Sequence, residues 1–505
     1  MFLFVFLPRY KKDRKNDRIK QCMGQGDLKD RTIFGMMWSA VGKVGTLTIN
    51  FLSNLVLARL LMPEDFGCIG MLAIFLAVSN IFIQGGLGTA LIQKKEPDHL
   101  DYSTVFYWNL VFAVLFYLIL YASAPAIANF YEMPLVKPLL RVQSVVLIIQ
   151  SFAIVQVTQL TKQMNFKALA IRTRAAACAG TLIAIPLALR GFGAWSLVAS
   201  AITASIVNVL LLWTLSSWRP AWEFSVTSLK SLFSFGGLML LSSLAETVYT
   251  NLQGLIIGKR FSAGDLGYFS QAKKLDEIPV TGLSSIVNDV TFPAFASIQD
   301  DKVRLKEGVR KSMKALTFAN FPMMTLLMVI ALPLITFLYG RKWEPAAPYF
   351  QILCISGLIY CTNSLNTNVI KSLGEGRIYF FVQIIKRIIG IALILFGMRF
   401  GIFGVLWSVT IVSYISFIIN ALVNKKLISY GFFRQVGDII PNLLVAAFAG
   451  ALAYGAGLLL HGNIYVTMLI QILVYAIAYL LVAKFLNLEG YKTYLEIFLK
   501  MFHRK

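Results

Sequence analysis

The chain has 505 residues, 57% of them hydrophobic and 13% aromatic, with a mean hydropathy of +0.70 and a formal net charge of +23. One soluble core cannot hide that much apolar surface, so a single water-soluble domain is excluded and lipid is the expected solvent. The basic excess lies mainly in loops between apolar runs rather than in one patch, which excludes a nucleic-acid partner.

Apolar runs of about 20 or more residues, each able to cross about 30 Å of hydrocarbon as a helix, recur along the whole chain. In order they lie near 33–60, 66–92, 103–129, 139–161, 168–189, 192–216, 231–258, 266–297, 313–339, 346–370, 376–398, 401–423, 438–460 and 464–487. The pattern predicts an all-α polytopic membrane protein of about 14 transmembrane helices, with 266–297 the most charged of the runs. The ten-residue alternating segments of a membrane β-barrel are absent. Residues 1–22 put an apolar stretch ahead of a basic run, the reverse of a signal peptide's order. They are expected to be an upstream-start artefact or a disordered tail rather than a cleaved signal.

With the N-terminus placed in the cytoplasm, the Lys and Arg residues divide into roughly 33 inside, 8 outside and 6 within spans. The inside group includes Lys162, Lys167, Arg172, Arg174, Arg310 and Lys311. Both termini are therefore predicted to be cytoplasmic, and the basic balance is read as topological. The five cysteines show no disulfide spacing and are expected to be buried apolar thiols, and the three histidines show no metal-ligand spacing. No metal, cofactor or catalytic residue is expected, and no loop is long enough to hold a soluble catalytic domain, so the chain reads as a non-enzyme.

An internal repeat with an offset near 200 organises the spans. Leu55-Val-Leu-Ala-Arg59 through Asp65-Phe-Gly67 aligns with Leu255-Ile-Ile-Gly-Lys259 through Asp265-Leu-Gly267, and Gly193-Ala-Trp195-Ser resembles Gly404-Val-Leu-Trp407-Ser. This predicts a basic tail (1–31), two six-helix bundles (32–217 and 229–424), two additional helices (438–487) and a C-terminal tail (488–505). Repeats that begin in the same direction are related by an axis along the membrane normal, and transporters built this way place their site at the bilayer midplane.

Ionisable groups inside spans are costly and should face protein or water. Lys43, Lys273, Lys274, Lys386 and Arg387 are the candidate cavity cations that would attract a phosphate-bearing head group. Two other readings stand beside this one. Lys273 can pair along its own helix with Asp276 and Glu277, and Lys386 and Arg387 can snorkel to the interface. Glu246 and Asp276 are the candidates for coupling to a proton or sodium ion. Asn50, Asn54, Asn363, Asn366 and Asn368 could bind sugar hydroxyls or join helices. Pro279 is expected to break its helix and expose backbone at a site.

The loop Leu57-Ala-Arg-Leu-Leu-Met-Pro63-Glu-Asp65-Phe-Gly67, the segment Gly86-Leu-Gly-Thr-Ala-Leu-Ile-Gln93-Lys-Lys-Glu96, and the motifs Phe130-Tyr-Glu-Met-Pro134 and Leu160-Thr-Lys162-Gln-Met-Asn-Phe166-Lys167 resemble the polysaccharide transporter family of the multidrug/oligosaccharidyl-lipid/polysaccharide flippase superfamily, in particular Wzx-type and colanic-acid-exporter-like proteins of lipopolysaccharide biosynthesis. The resemblance implies an alternating-access flippase for an undecaprenyl-diphosphate-linked oligosaccharide (an O-antigen, capsule or exopolysaccharide repeat unit) in the bacterial inner membrane. Its expected partners are that lipid-linked glycan, membrane lipids and other polysaccharide-assembly proteins. Two alternatives remain open on the sequence: a flippase for the lipid-linked peptidoglycan precursor, and a multidrug or small-molecule exporter of the same superfamily.

Overall fold

The computed structural model describes residues 45–459 and 463–502, and the described residues are helical with no strand. The first helix, α1, is described over 45–60. It is followed by α2 (Pro63–Gln84), α3 (Leu87–Gln93), α4 (His99–Tyr131), α5 (Val136–Gln143), α6 (Val145–Lys162), α7 (Phe166–Leu189), α8 (Ala194–Leu215) and α9 (Val226–Arg260). The chain continues as α10 (Ala263–Ala296), α11 (Lys302–Val329), α12 (Ala331–Tyr339), α13 (Ala346–Ser372), α14 (Gly376–Gly397), α15 (Gly401–Ile428), α16 (Phe432–Leu459), α17 (Ile464–Phe485) and α18 (Glu489–Phe502).

Helix starts are set by local chemistry. Asp98 accepts the Asp101 N–H at 2.7 Å while Asp101 accepts the Asp98 N–H at 3.0 Å, a reciprocal cap that opens α4. Asn165 caps α7, Ser225 caps α9 and Asp301 caps α11 by accepting a first-turn backbone N–H on the side chain. Among the described residues, eight helical stretches are long and apolar enough to cross a membrane, or ten when two bent pairs are each taken as one span. One of the eight, Gly376–Ile428, contains both α14 and α15, which pack against each other across a short turn at Gly397. The protein is a multi-span membrane protein.

Three expectations are corrected. Pro279 does not break its helix, since α10 runs unbroken with Pro279 and Pro293 inside it. A proline ring removes one backbone donor, which a long helix absorbs when neighbouring turns hold it. The span expected over 313–339 is instead bent by 72° where α11 meets α12. Cys178 is exposed, whereas Cys68, Cys354 and Cys361 are buried free thiols.

By contacts the described chain divides near Gly267, into one compact unit that ends there and one that begins at Tyr268. In the first unit α7 packs on α8, α4 on α6, and α9 lies on α2, α3 and α4. A bend of 59° in α9 between Ser234 and Met239 coincides with Gly236-Gly237. Gly86, with φ +69°, meets α9 there: a Cβ on it would stand 2.1 Å from the Gly236 carbonyl oxygen. A buried aromatic and aliphatic cluster around Phe106, Val155 and Trp218 seals the α3–α4–α6 corner. The linker after α8 is pinned to the start of α4, because Ser103 and Thr104 hydroxyls accept the Ala221 and Ser225 N–H groups at 3.1 Å each.

In the second unit α13 is the interior helix, with 18 of its 27 residues buried. It packs on α11 and α15, and α16 packs on α11 and α17. Two of the last three helices, α16 and α18, are held to α11 by an ionic cluster. Asp438 accepts Arg310 Nε at 2.9 and 2.8 Å, lies 3.2 Å from Lys314 Nζ, and accepts the Tyr430 hydroxyl at 2.9 Å, while Lys314 also pairs with Glu489 at 2.8 Å. Burial first, and then the Asp438 carboxylate, push the Tyr430 phenol far above its ordinary value, so it stays a donor.

Because Asp438 is almost fully buried and carries three partners, Asp438→Ala should destabilise the protein by about 2–3 kcal/mol, read as a lowered midpoint in thermal unfolding of the purified protein. Glu132→Ala, which removes the exposed Lys259–Glu132 pair at 3.0 Å, should cost less than about 1 kcal/mol in the same assay.

Candidate functional site

The polar interior of the second unit is built along one face after another of α13. Toward α10, Asn368 Nδ2 donates to Asn288 Oδ1 at 2.9 Å and to Thr291 Oγ1 at 3.0 Å, and Ser364 donates to the same Asn288 oxygen at 2.7 Å. Toward α11, the Gly357 and Leu358 carbonyls accept Asn320 Nδ2 at 3.1 and 2.7 Å. Toward α15 and α16, Asn366 donates to Gln435 at 2.8 Å and accepts from Asn424 at 2.8 Å. The three asparagines of α13 therefore join helices, the second of the two readings the sequence allowed for them.

Lys386 is reached through this network. Its Nζ, on α14, donates to Asn420 Oδ1 of α15 at 2.6 Å; Asn420 donates to Asn363 Oδ1 at 3.0 Å; and Asn363 donates to the Ser413 carbonyl at 2.9 Å. Lys386 itself is only 9% exposed. Among the described residues no carboxylate lies within 4.0 Å of it. A buried ammonium that has a neutral amide for a partner and no counter-charge keeps most of its desolvation cost uncompensated, and an anion placed beside it would relieve that cost. The buried position also sets aside snorkelling as the account of Lys386. Arg387, the next residue, is half-buried.

On α10, Lys273 is half-buried with its Nζ 5.9 Å from the Phe269 ring centroid, and Lys274 is exposed. Lys273 and Asp276 form no ion pair within 4.0 Å among the described residues. The Asp276 Oδ1 atom is buried without a hydrogen-bond partner, and a Cβ on Gly357 of α13 would stand 3.2 Å from it. Lys386 and Asp276 thus approach α13 from two sides, one through Asn363 and the other at Gly357. A carboxylate oxygen left unpaired in this setting is a group that a proton or a small cation would satisfy.

The remaining candidates lie elsewhere. Glu246 is exposed on α9 in the first unit, where its carbonyl accepts the Thr250 hydroxyl at 3.0 Å. Lys43 lies outside the described residues. Among the described residues no three His, Cys, Asp or Glu side chains are grouped as a metal ion would require.

Two features escaped the sequence reading. Arg172 and Arg174, counted with the cytoplasmic cations although the expected span begins near 168, stand on α7, where Arg172 Nε and Nη1 and Arg174 Nη2 are buried without partners. The signal that was available is Asn165, whose side chain caps the Ala168 N–H at 3.2 Å and starts the helix ahead of both arginines. The second is Asp101, buried at the start of α4 and paired with Lys94 and the Ser228 hydroxyl. Its partners are 7 and 127 residues away in sequence, and only the first was within reach of a local reading.

Several known proteins resemble the chain. It is 28% identical over 386 residues to the succinoglycan biosynthesis transport protein ExoT of Rhizobium meliloti, covering 75% of this chain and 78% of that protein. It is 25% identical to the lipopolysaccharide biosynthesis protein WzxC of Escherichia coli, with 86% and 90% covered, and 26% identical to the teichuronic acid biosynthesis protein TuaB of Bacillus subtilis, with 84% and 88% covered. Among solved structures, the lipid II flippase MurJ in an inward closed conformation superimposes with a TM-score of 0.73 at 15% identity, over 89% of this chain and 100% of that one. A multidrug resistance transporter of the MATE family superimposes with a TM-score of 0.58 at 16% identity, over 76% and 94%. These two likenesses establish the fold alone. The family described as polysaccharide biosynthesis protein matches residues 56–348, more than half of the sequence, and the chain belongs to that family.

Proposed function

We propose that this protein is a flippase that moves a polyprenyl-diphosphate-linked oligosaccharide across the bacterial cytoplasmic membrane by alternating access, with both termini in the cytoplasm and with no covalent chemistry of its own. The observation that carries the reading is Lys386, a buried cation whose hydrogen-bond partner among the described residues is the neutral Asn420. An anionic head group fits that vacant counter-charge, and a cationic drug does not. Family membership and the names of the relatives, each concerned with making or transporting a polysaccharide, supply the glycan. The six-helix bundles over 32–217 and 229–424 are proposed as the two moving halves, with Lys43, Lys273, Lys274 and Arg387 as further contacts for the head group.

Coupling to a proton or sodium ion is proposed at Asp276 and Glu246. Only a ligand that binds two conformations unequally can shift them, and an unpaired carboxylate oxygen on α10 provides such a difference when it is protonated or occupied.

Deleting the gene should leave lipid-linked glycan on the cytoplasmic leaflet of inner-membrane vesicles while surface polysaccharide disappears; an unchanged leaflet distribution would refute the flippase reading. Asn420→Asp sets a carboxylate against Lys386 and supplies the missing counter-charge. The variant should keep or raise the thermal midpoint yet lower polysaccharide export by about tenfold or more, because the head group then competes with a resident anion. Unchanged export in that variant would mean that Lys386 serves packing alone. Asp276→Asn should remove the dependence of transport on the ion gradient while the folded protein still inserts and purifies, and a gradient dependence equal to that of the parent would exclude this residue.

A further inference from the structure

The first unit holds a buried cation that its own neighbouring helices cannot neutralise. Between Glu132 and Glu223 the sequence contains no acidic residue, so α6, α7 and α8 supply no carboxylate. Arg172 of α7 is half-buried, with its Nε and Nη1 atoms enclosed, and it has neither a hydrogen-bond partner for them nor an ion pair among the described residues. Helix register places polar groups around it. Ala168 of α7, Ala153 and Leu160 of α6 and Leu212 of α8 share one buried cluster. Twelve residues beyond Ala168, a Cβ on Gly180 would stand 2.8 Å from the carbonyl oxygen of Ser200, which is twelve residues before Leu212. α7 runs opposite to α6 and α8, so one turn from the cluster Arg172 stands level with Gln156 of α6 and Asn208 of α8. Gln156 lies three residues after Ala153 and four before Leu160, and therefore on the helix face that bears both. It is 0% exposed, and neither of its amide atoms has a partner among the described residues.

We propose that this layer binds the phosphate of an anionic phospholipid whose head group carries a free hydroxyl. A guanidinium keeps its proton in a protein, and its fork matches phosphate oxygens. The amides of Gln156 and Asn208 add N–H donors beside it, and their carbonyl oxygens accept from a head-group hydroxyl. A chloride ion would compensate the guanidinium but leave those oxygens without a donor. The surroundings favour a lipid over a free ion. Arg172 is the seventh residue of α7, about 9 Å along the helix from its start. On the adjoining face Ile171, Cys178 and Leu182 form an exposed apolar strip that runs further into the span. Acyl chains laid along that strip bring their phosphate to Arg172, and basic pockets between helices take lipid head groups in this way. Arg174 belongs to a different face: its Nε donates to the Ala170 carbonyl at 3.2 Å, and its Cδ lies against Gly45 of α1. The site is separate from Lys386 and does not rest on the flippase reading.

The test is native mass spectrometry of the full-length protein, stripped of lipid in detergent and mixed with phosphatidylglycerol, phosphatidylcholine or inorganic phosphate, with thermal unfolding followed on the same samples. The protein should retain phosphatidylglycerol about tenfold more readily than phosphatidylcholine, and Arg172→Gln should abolish that preference. Without lipid, Arg172→Gln should unfold at the parent's temperature or above it, because a buried charge with no counter-ion has been removed. Phosphatidylglycerol should then raise the midpoint of the parent and not that of the variant. Gln156→Leu keeps the bulk and removes the amide, so it should weaken retention several-fold without lowering the lipid-free midpoint. Arg174→Gln removes an equal charge from the same helix and should retain the lipid as the parent does. Retention that is equal in the parent and Arg172→Gln, or lost equally in Arg174→Gln, would overturn the site. A midpoint raised as far by inorganic phosphate as by phosphatidylglycerol would overturn the lipid in favour of a soluble anion. No readout here uses transport, so the outcome is independent of the gene-deletion experiment.

Discussion

In hydrocarbon no water is available to satisfy a polar group, and much of this structure follows from that constraint. The helix α13 is where it is met most densely. Asparagine and serine side chains between Ser356 and Asn368 form hydrogen bonds to α10, α15 and α16, and Asn320 of α11 donates to the α13 backbone, so two thirds of the helix is buried without being apolar. A helix with this composition would be a poor lipid-facing span, and it is tolerable only as the hub around which the others gather. The contrast with α17 is instructive, since that helix keeps the highest class of hydropathy and buries few residues.

Against this background two exceptions stand out. Lys386 has an amide where a carboxylate would be expected, and Asp276 has an oxygen with no donor. Both approach the same interior helix. Elsewhere in the protein Asp438 is neutralised by Arg310 and Lys314, and Asp101 by Lys94, whereas Arg172 on α7 keeps buried guanidinium nitrogens without partners.

The glycines play a second part, as surfaces rather than hinges. At Gly67 and Gly267, at Gly86 against Gly236, and at Gly397 against Gly404, backbone meets backbone at distances that exclude any side chain. Where hydrophobic association offers helices no advantage over lipid, such close approach and the dispersion contacts it permits are a principal source of helix–helix affinity.

Hydropathy alone determined that the chain is a helical multi-span protein in lipid, and the ordered motifs determined its family, because both are properties of short stretches read in place. The sequence also held the repeat of Asp65-Phe-Gly67 in Asp265-Leu-Gly267, but not that the two copies touch. Proximity on one helix suggested that Lys273 would pair with Asp276, and polar asparagines on α13 were open to sugars or to helices. Tertiary structure decided these points, along with the burial of Lys386 beside Asn420, 34 residues away, and the ionic seat of Asp438 on Arg310, 128 residues away. The reason is physical: hydrophobic periodicity fixes which segments are helices, whereas a side chain's counter-charge depends on which helices adjoin, and lipid makes all apolar neighbours nearly equivalent.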